Sequence, residues 1–211
     1  MLCIEVKIAA STADAGIVSP LHLSYDGSSI DRHVLGYLSG DAPSLIDDLR
    51  NGTQKDTYEV TFFPAAGWLI HVRALETVGG FDPLFFMYGE DKDYCARLRR
   101  AGLRILLAPK ATICHYHGGP PEREAVTAKR IETECYWELV LWLKDPRAPF
   151  LKTLLCALRE HLVRMFRDIV YLDATSLFAR SRAVCRVASR LTDIARHRKQ
   201  SIDGTKRLFL S

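Results

Sequence analysis

The chain has 211 residues, 48% of them hydrophobic and 26% charged. That excludes a disordered or fibrous protein and gives one large domain, or one domain plus an appendage. The formal charge of +4 is uneven: residues 120–211 hold 18 Lys/Arg against 11 Asp/Glu, residues 1–119 hold 11 against 14, so the C-terminal part is the one to suspect of touching an anionic surface. Apolar runs such as Leu139–Leu143 fall far short of the ~20 residues a membrane span needs, and Glu5, Lys7 and Asp14 interrupt the first apolar stretch, which is no secretory signal. Six cysteines at 3, 95, 114, 135, 156 and 185 form no C-x-x-C pair and read as reduced thiols of a cytosolic protein.

Residues 1–13 fit strand or helix. Gly16–Pro20 reads as a short buried strand closed by its proline, and Tyr25–Ser28 as a turn. Residues 39–57, with Gly40, Pro43 and Asn51-Gly52, read as an exposed loop. Strands are expected at Thr61–Phe63 and Trp68–Val72, and a short helix from Arg73 to Val78 stopped by Gly79-Gly80. An aromatic loop runs from Phe81 to Tyr88. A helix over Glu90–Ala101 carries acids in its first turn and arginines in its last, as the helix dipole prefers, with Gly102 closing it. Two strands follow, Leu103–Ala108 and Ala111–His115. Beyond Gly118–Pro121 the pattern is helical from Glu122 to Lys144 and breaks at Asp145–Pro149. Leu151, Leu154, Leu155, Leu158, Leu162, Phe166 and Ile169 then form one apolar helical stripe. Val184, Val187, Ala188, Leu191 and Ile194 form a second, and the last ten residues read as frayed.

Three groups of residues could carry chemistry. Gly89-Glu90-Asp91-Lys92-Asp93-Tyr94 opens a helix after the aromatic loop. A carboxylate held there is fixed in direction and suits a general base, although acids at a helix start are commonly only caps. Cys114-His115-Tyr116-His117, followed by two glycines, offers imidazoles to a divalent metal, or is a pair of ordinary loop histidines. Gly67-Trp68 lies at a bend where a ligand could approach the backbone, or where the chain merely turns.

The order of these groups is more specific than any one of them. Ala66–Ile70, Val78-Gly-Gly-Phe-Asp82, Phe85–Arg97 with its Tyr-Gly-Glu-Asp-Lys-Asp core, Ala101-Gly102 and Pro109–His115 together resemble the second half of a glycosyltransferase family 2 catalytic domain, closest to rhamnosyltransferase-like members. The resemblance runs from about Ala13 to Gly119. It implies an α/β fold of the GT-A type and inverting transfer of a sugar from a nucleotide-diphosphate donor to a hydroxyl of a glycan or lipid-linked acceptor, in cell-surface polysaccharide synthesis. By position, Asp91 matches the catalytic base and Glu90 its support. Gly67 and Trp68 match the loop bordering donor sugar and acceptor; Gly80, Phe81 and Asp82 match the acceptor-side loop. His115, with His117 as second choice, matches the histidine that helps hold a divalent metal, Mg or Mn, against the diphosphate.

The resemblance also sets expectations by what it lacks. No Asp-x-Asp precedes Gly16, so the chain is expected to be an incomplete GT-A fold without its nucleotide-binding half, inactive and weakly metal-binding alone, completed by a complementing N-terminal half, with an apolar sheet face left open. Residues 1–119 are taken as the catalytic part and 120–211 as a basic amphipathic helical region. That region either lies on an anionic membrane surface, placing the protein at the inner face of the plasma membrane, or packs on the catalytic part. No motif supports nucleic-acid binding. The rival to an enzyme is a non-catalytic acceptor-binding or partner module carrying the same helical tail.

Overall fold

The computed structural model describes residues 2–116 and 127–203. It is a mixed α/β arrangement: a four-stranded sheet between helices, followed by a helical bundle. Helix α1 (Leu2–Ser11) leads into β1 (Ala15–Leu23), then α2 (Arg32–Asp41) and α3 (Pro43–Asn51). Strands β2 (Tyr58–Val60) and β3 (Leu69–Ile70) and helices α4 (Val72–Val78) and α5 (Glu90–Arg100) precede the long β4 (Arg104–Cys114). The C-terminal helices are α6 (Ala128–Lys144), α7 (Phe150–Val170), α8 (Ala174–Ser189) and α9 (Leu191–Asp203).

The strands lie in the order β2-β4-β1-β3. The central pair β1 and β4 is parallel, and the short outer strands run antiparallel to it. Both faces of this sheet are covered. On one, Ala9 of α1, with Ile4 and Ile8, packs over Ala15, Val18, Leu106 and Ala108. On the other, α2 to α5 bury Leu38, Leu45, Tyr94 and Leu98 against Ile17, Leu21, Ile105 and Leu107. The open apolar face expected from the sequence is therefore absent: β1 is buried from Ala15 to His22, as a parallel strand requires.

Several local expectations are revised. Pro20 does not end β1. The strand continues to Leu23 with a register shift, because Pro20 pairs with Ala108 while Leu21 pairs with Thr112. Pro109, Lys110 and Ala111 form the matching bulge, so the two strands expected over 103–115 are one. Residues 39–57 are not a loop: Pro43 starts α3 in its first turn and Gly52, at φ +67°, caps it in the left-handed region. Thr61–Phe63 falls outside β2, because Asp41 Oδ2 captures the Thr61 and Phe62 amides at 2.6 and 3.2 Å. Thr127 caps α6 through its side chain, and residues 122–126, like the frayed end expected after residue 203, lie outside the described residues. The second apolar stripe is shared between α8 and α9, which meet at Arg190.

Helices α6 to α9 enclose their own core of Leu139, Val140, Leu143, Ala157, Ala183, Val187 and Ile194, and this core takes in Leu84 and Phe85 from the aromatic loop. A buried ionic cluster ties the two parts together. Lys144 Nζ contacts Asp93 Oδ1 at 2.6 Å and also Asp82 Oδ2. Arg97 Nε meets Asp93 Oδ2 at 2.8 Å, and His197 Nδ1 meets Asp82 Oδ1 at 2.8 Å. No helix among the described residues is long and apolar enough to cross a membrane.

Candidate active site

The aromatic loop reaches α5 through two residues in the left-handed region, Tyr88 at φ +66° and Gly89 at φ +89°. A non-glycine residue there is strained, and such strain gathers at functional sites. Gly89 is also required by space: a Cβ would come within 3.0 Å of Trp137 Cβ and 3.1 Å of Phe85 Cδ1. This bend sets Glu90 and Asp91 in the first turn of α5, where the helix N-terminus faces them.

Asp91 is half-buried. Desolvation pushes its carboxyl above the ordinary 3.8, reinforced by the Glu90 charge, while the Lys92 backbone N–H at 2.7 Å restrains the rise. A carboxylate made more basic by burial is suited to accept a proton. Beside it, Glu90 Oε2 is buried without a hydrogen-bond partner among the described residues. On the side of α5 three residues further on, Tyr94 is completely buried and its hydroxyl likewise lacks a partner. Burial raises that phenol to about 12, so it stays a donor.

Trp68 and Phe81, matched to different loops in the sequence, meet here. Their rings stack with centroids 6.4 Å apart, and Tyr94 joins them at 6.2 and 5.0 Å. Trp68 Nε1 is buried without a partner among the described residues. Gly67 lets this bend close on β1 and β4, since a Cβ would stand 3.0 Å from Ile113 Cδ1 and 3.1 Å from Pro20 Cγ. Gly80 contributes its carbonyl, which accepts from Arg97 Nη2 at 2.7 Å. Asp82 points elsewhere. Its carboxylate is wholly buried and is taken by Lys144, by His197 and by the Leu84 N–H at 2.8 Å. Burial alone would raise it, but these partners hold it below 3.8. Its place in the fold is to pin the aromatic loop to α6 and α9.

His115 follows β4, its Nδ1 3.5 Å from the buried Asp31 Oδ2 and its ring 5.6 Å from that of His22. His117 lies outside the described residues. Helix α5 delivers the chain straight to the start of β4, so its N-terminus lies toward the carboxyl ends of β1 and β4, where His115 also sits. Open α/β sheets bind ligands at that edge. Near α5, Tyr37, which feels the Asp91 charge, lies 4.8 Å from Phe62; near His115, the His22 ring lies 4.7 Å from Phe63. A cavity of about 390 Å³ opens beside Tyr37, Phe62 and Lys92.

The described residues contain no group of three or more His, Cys, Asp or Glu able to hold a metal. His115 with Asp31 supplies two donors, fewer than Mg or Mn takes from a protein and its substrate together without further carboxylates.

Residues 46–144 match the model of the glycosyl transferase family group 2. This supports a glycosyltransferase family 2 domain, with the nucleotide-sugar donor and acceptor that such a domain implies in general, over the stretch that holds Gly67, Trp68, Glu90, Asp91 and His115. No curated protein and no solved structure matches the chain.

Of Tyr37, Tyr94 and Trp137, the sequence names only Tyr94, as the last residue of its helix-opening group. Tyr94 alone carried a signal there, its position one helical turn after Asp91; the other two reach the site only through tertiary packing.

Proposed function

We propose that Asp91 is the general base of an inverting sugar transfer, acting on an acceptor hydroxyl. The hydroxyl proton passes to the Asp91 carboxylate as the oxygen attacks the anomeric carbon from the face opposite the nucleotide diphosphate. The bond from that carbon to the diphosphate oxygen breaks, its electron pair leaves with the diphosphate, and the configuration inverts. Glu90 Oε2 accepts from a neighbouring acceptor hydroxyl. Trp68 and Phe81 give the sugar an apolar wall, backed by the buried ring of Tyr94. Gly67 and Gly80 shape the loops, and Asp82 positions its loop from behind. If a divalent ion binds the diphosphate, His115 or His117 would supply one of its ligands. The acceptor class is a glycan or lipid-linked saccharide of cell-surface polysaccharide, and a rhamnose or hexose is the sugar transferred.

The observation that carries this reading is the half-buried carboxylate of Asp91, made more basic by burial and held behind the strained Tyr88 and the left-handed Gly89. The experiment is incubation of the full chain with nucleotide-diphosphate sugars and oligosaccharide acceptors, following release of the nucleotide diphosphate. Release that depends on acceptor supports transfer. Saturable acceptor binding with no release under any donor would favour the non-catalytic acceptor-binding module instead.

A further inference from the structure

Helix α7 is packed inside out. A helix on a folded domain ordinarily turns its apolar stripe to the core. Here the fully buried positions of α7 are Ala157, His161 and Asp168, with Phe150 and Leu154 partly buried against the bundle core, and the helix is further fastened by polar contacts: Asp168 to Arg180 of α8 at 2.8 Å, and Arg164 to Glu138 of α6 at 2.8 Å. Apart from Leu154, which packs on the bundle core, the stripe faces out. Leu151, Leu155, Leu162 and Phe166 are 60–67% exposed, and Leu158 and Ile169 are exposed with them. From Leu151 to Ile169 the stripe is about 27 Å long at the helical rise. At the turn into α8 it continues into Tyr171 and Leu172. An apolar surface of this extent on a folded protein marks a docking face.

The charges beside the stripe indicate what docks. Lys152, Arg159 and Arg167 are exposed along one flank and make no ion pair among the described residues. The acid bordering that flank, Glu160, is paired with Arg164 at 3.2 Å. A cavity of about 350 Å³ lined by Arg164, Arg167, Arg180, Glu160 and Val163 opens at its edge. Pairing with a second copy does not suit this pattern. Two antiparallel α7 helices would set the basic flank against itself, and parallel ones would need the opposite flank, which His161 and Asp168 already bury in the bundle.

We propose that α7 lies flat on an anionic membrane surface, its leucine stripe seated at the boundary of headgroups and acyl chains and its lysine and arginines against lipid phosphates. This goes beyond sugar transfer and does not depend on it.

The test is flotation of the full chain with vesicles of phosphatidylcholine alone and of phosphatidylcholine containing about one-third phosphatidylglycerol, at low and high salt. Binding is expected to the anionic vesicles and to be weakened by salt. Leu155→Gln/Leu162→Gln/Phe166→Gln is expected to lose it at least about tenfold, and Lys152→Glu/Arg159→Glu by a similar factor on anionic vesicles only. These positions face solvent, so thermal unfolding should match that of the parent and separates lost docking from lost fold. Binding that survives the triple substitution overturns the proposal, as does absence of binding to either vesicle. A dimer in sedimentation velocity that the triple substitution converts to monomer, without vesicle binding, assigns the stripe to a second copy instead and also overturns it.

Discussion

Asp91 stands under two opposed influences. Burial and Glu90 make its carboxyl harder to ionise, and the Lys92 amide makes it easier, with burial prevailing. A carboxyl whose folded pKa lies above 3.8 favours folding below that value, and this contribution is lost as pH rises through the folded pKa. At neutral pH its ionisation therefore works against the fold, and Asp91→Asn should leave the melting temperature unchanged or raise it. Gly89 is the opposite case. Replacing it with alanine places a Cβ against Trp137 at a φ that side chains rarely adopt, and is expected to cost about 1–3 kcal/mol and to impair transfer by displacing Asp91; denaturant unfolding and an activity assay check both. The Glu-Asp pair was legible in the sequence because a helix start is a local matter. The unpartnered oxygen of Glu90 and hydroxyl of Tyr94 were not, because which polar atoms are left unsatisfied depends on the whole surrounding packing.

Among the elements, those specified by local chemistry were readable: α5 by its acid-to-base polarity, and the end of α4 by Gly79. Helices α2 and α3 were missed because Gly36 and Gly40 dilute the helical pattern, while the features that make them, the Asp31 cap and the Gly52 left-handed end, are single residues. The stripe on α7 was found by its period, but period says nothing of which way a face turns. Its buried face has a consequence for pH. His161 is held below its ordinary 6.5, first by burial and then by the charge of Arg164. A depressed histidine supports the fold above 6.5, and that support is lost as pH falls through its folded pKa. Unfolding midpoints followed from pH 8 to pH 5 should therefore decline toward the acid end, and His161→Leu, which cannot take up the proton, should flatten that decline.

For the molecule as a whole, the ionic cluster of Asp82, Asp93, Arg97, Lys144 and His197 decides whether the sheet part and the helical bundle behave as one unit. Lys144 lies between two buried carboxylates, so Lys144→Ala leaves negative charge buried with less compensation, which costs about 3–5 kcal/mol. Calorimetry should show a melting temperature lower by roughly 10 °C for a chain of this size, and a separate transition for the bundle if the cluster is the coupling. Such a coupling fixes the aromatic loop that carries Asp82 to α6 and α9. The measurement that bears most directly on the account is acceptor-dependent nucleotide-diphosphate release by the parent and by Asp91→Asn, in whatever assembled form supports transfer, with melting curves taken on the same samples. Asp91→Asn is expected to lower the transfer rate by about 10²–10⁴-fold without loss of melting temperature. Undiminished transfer by a folded Asp91→Asn protein would contradict it.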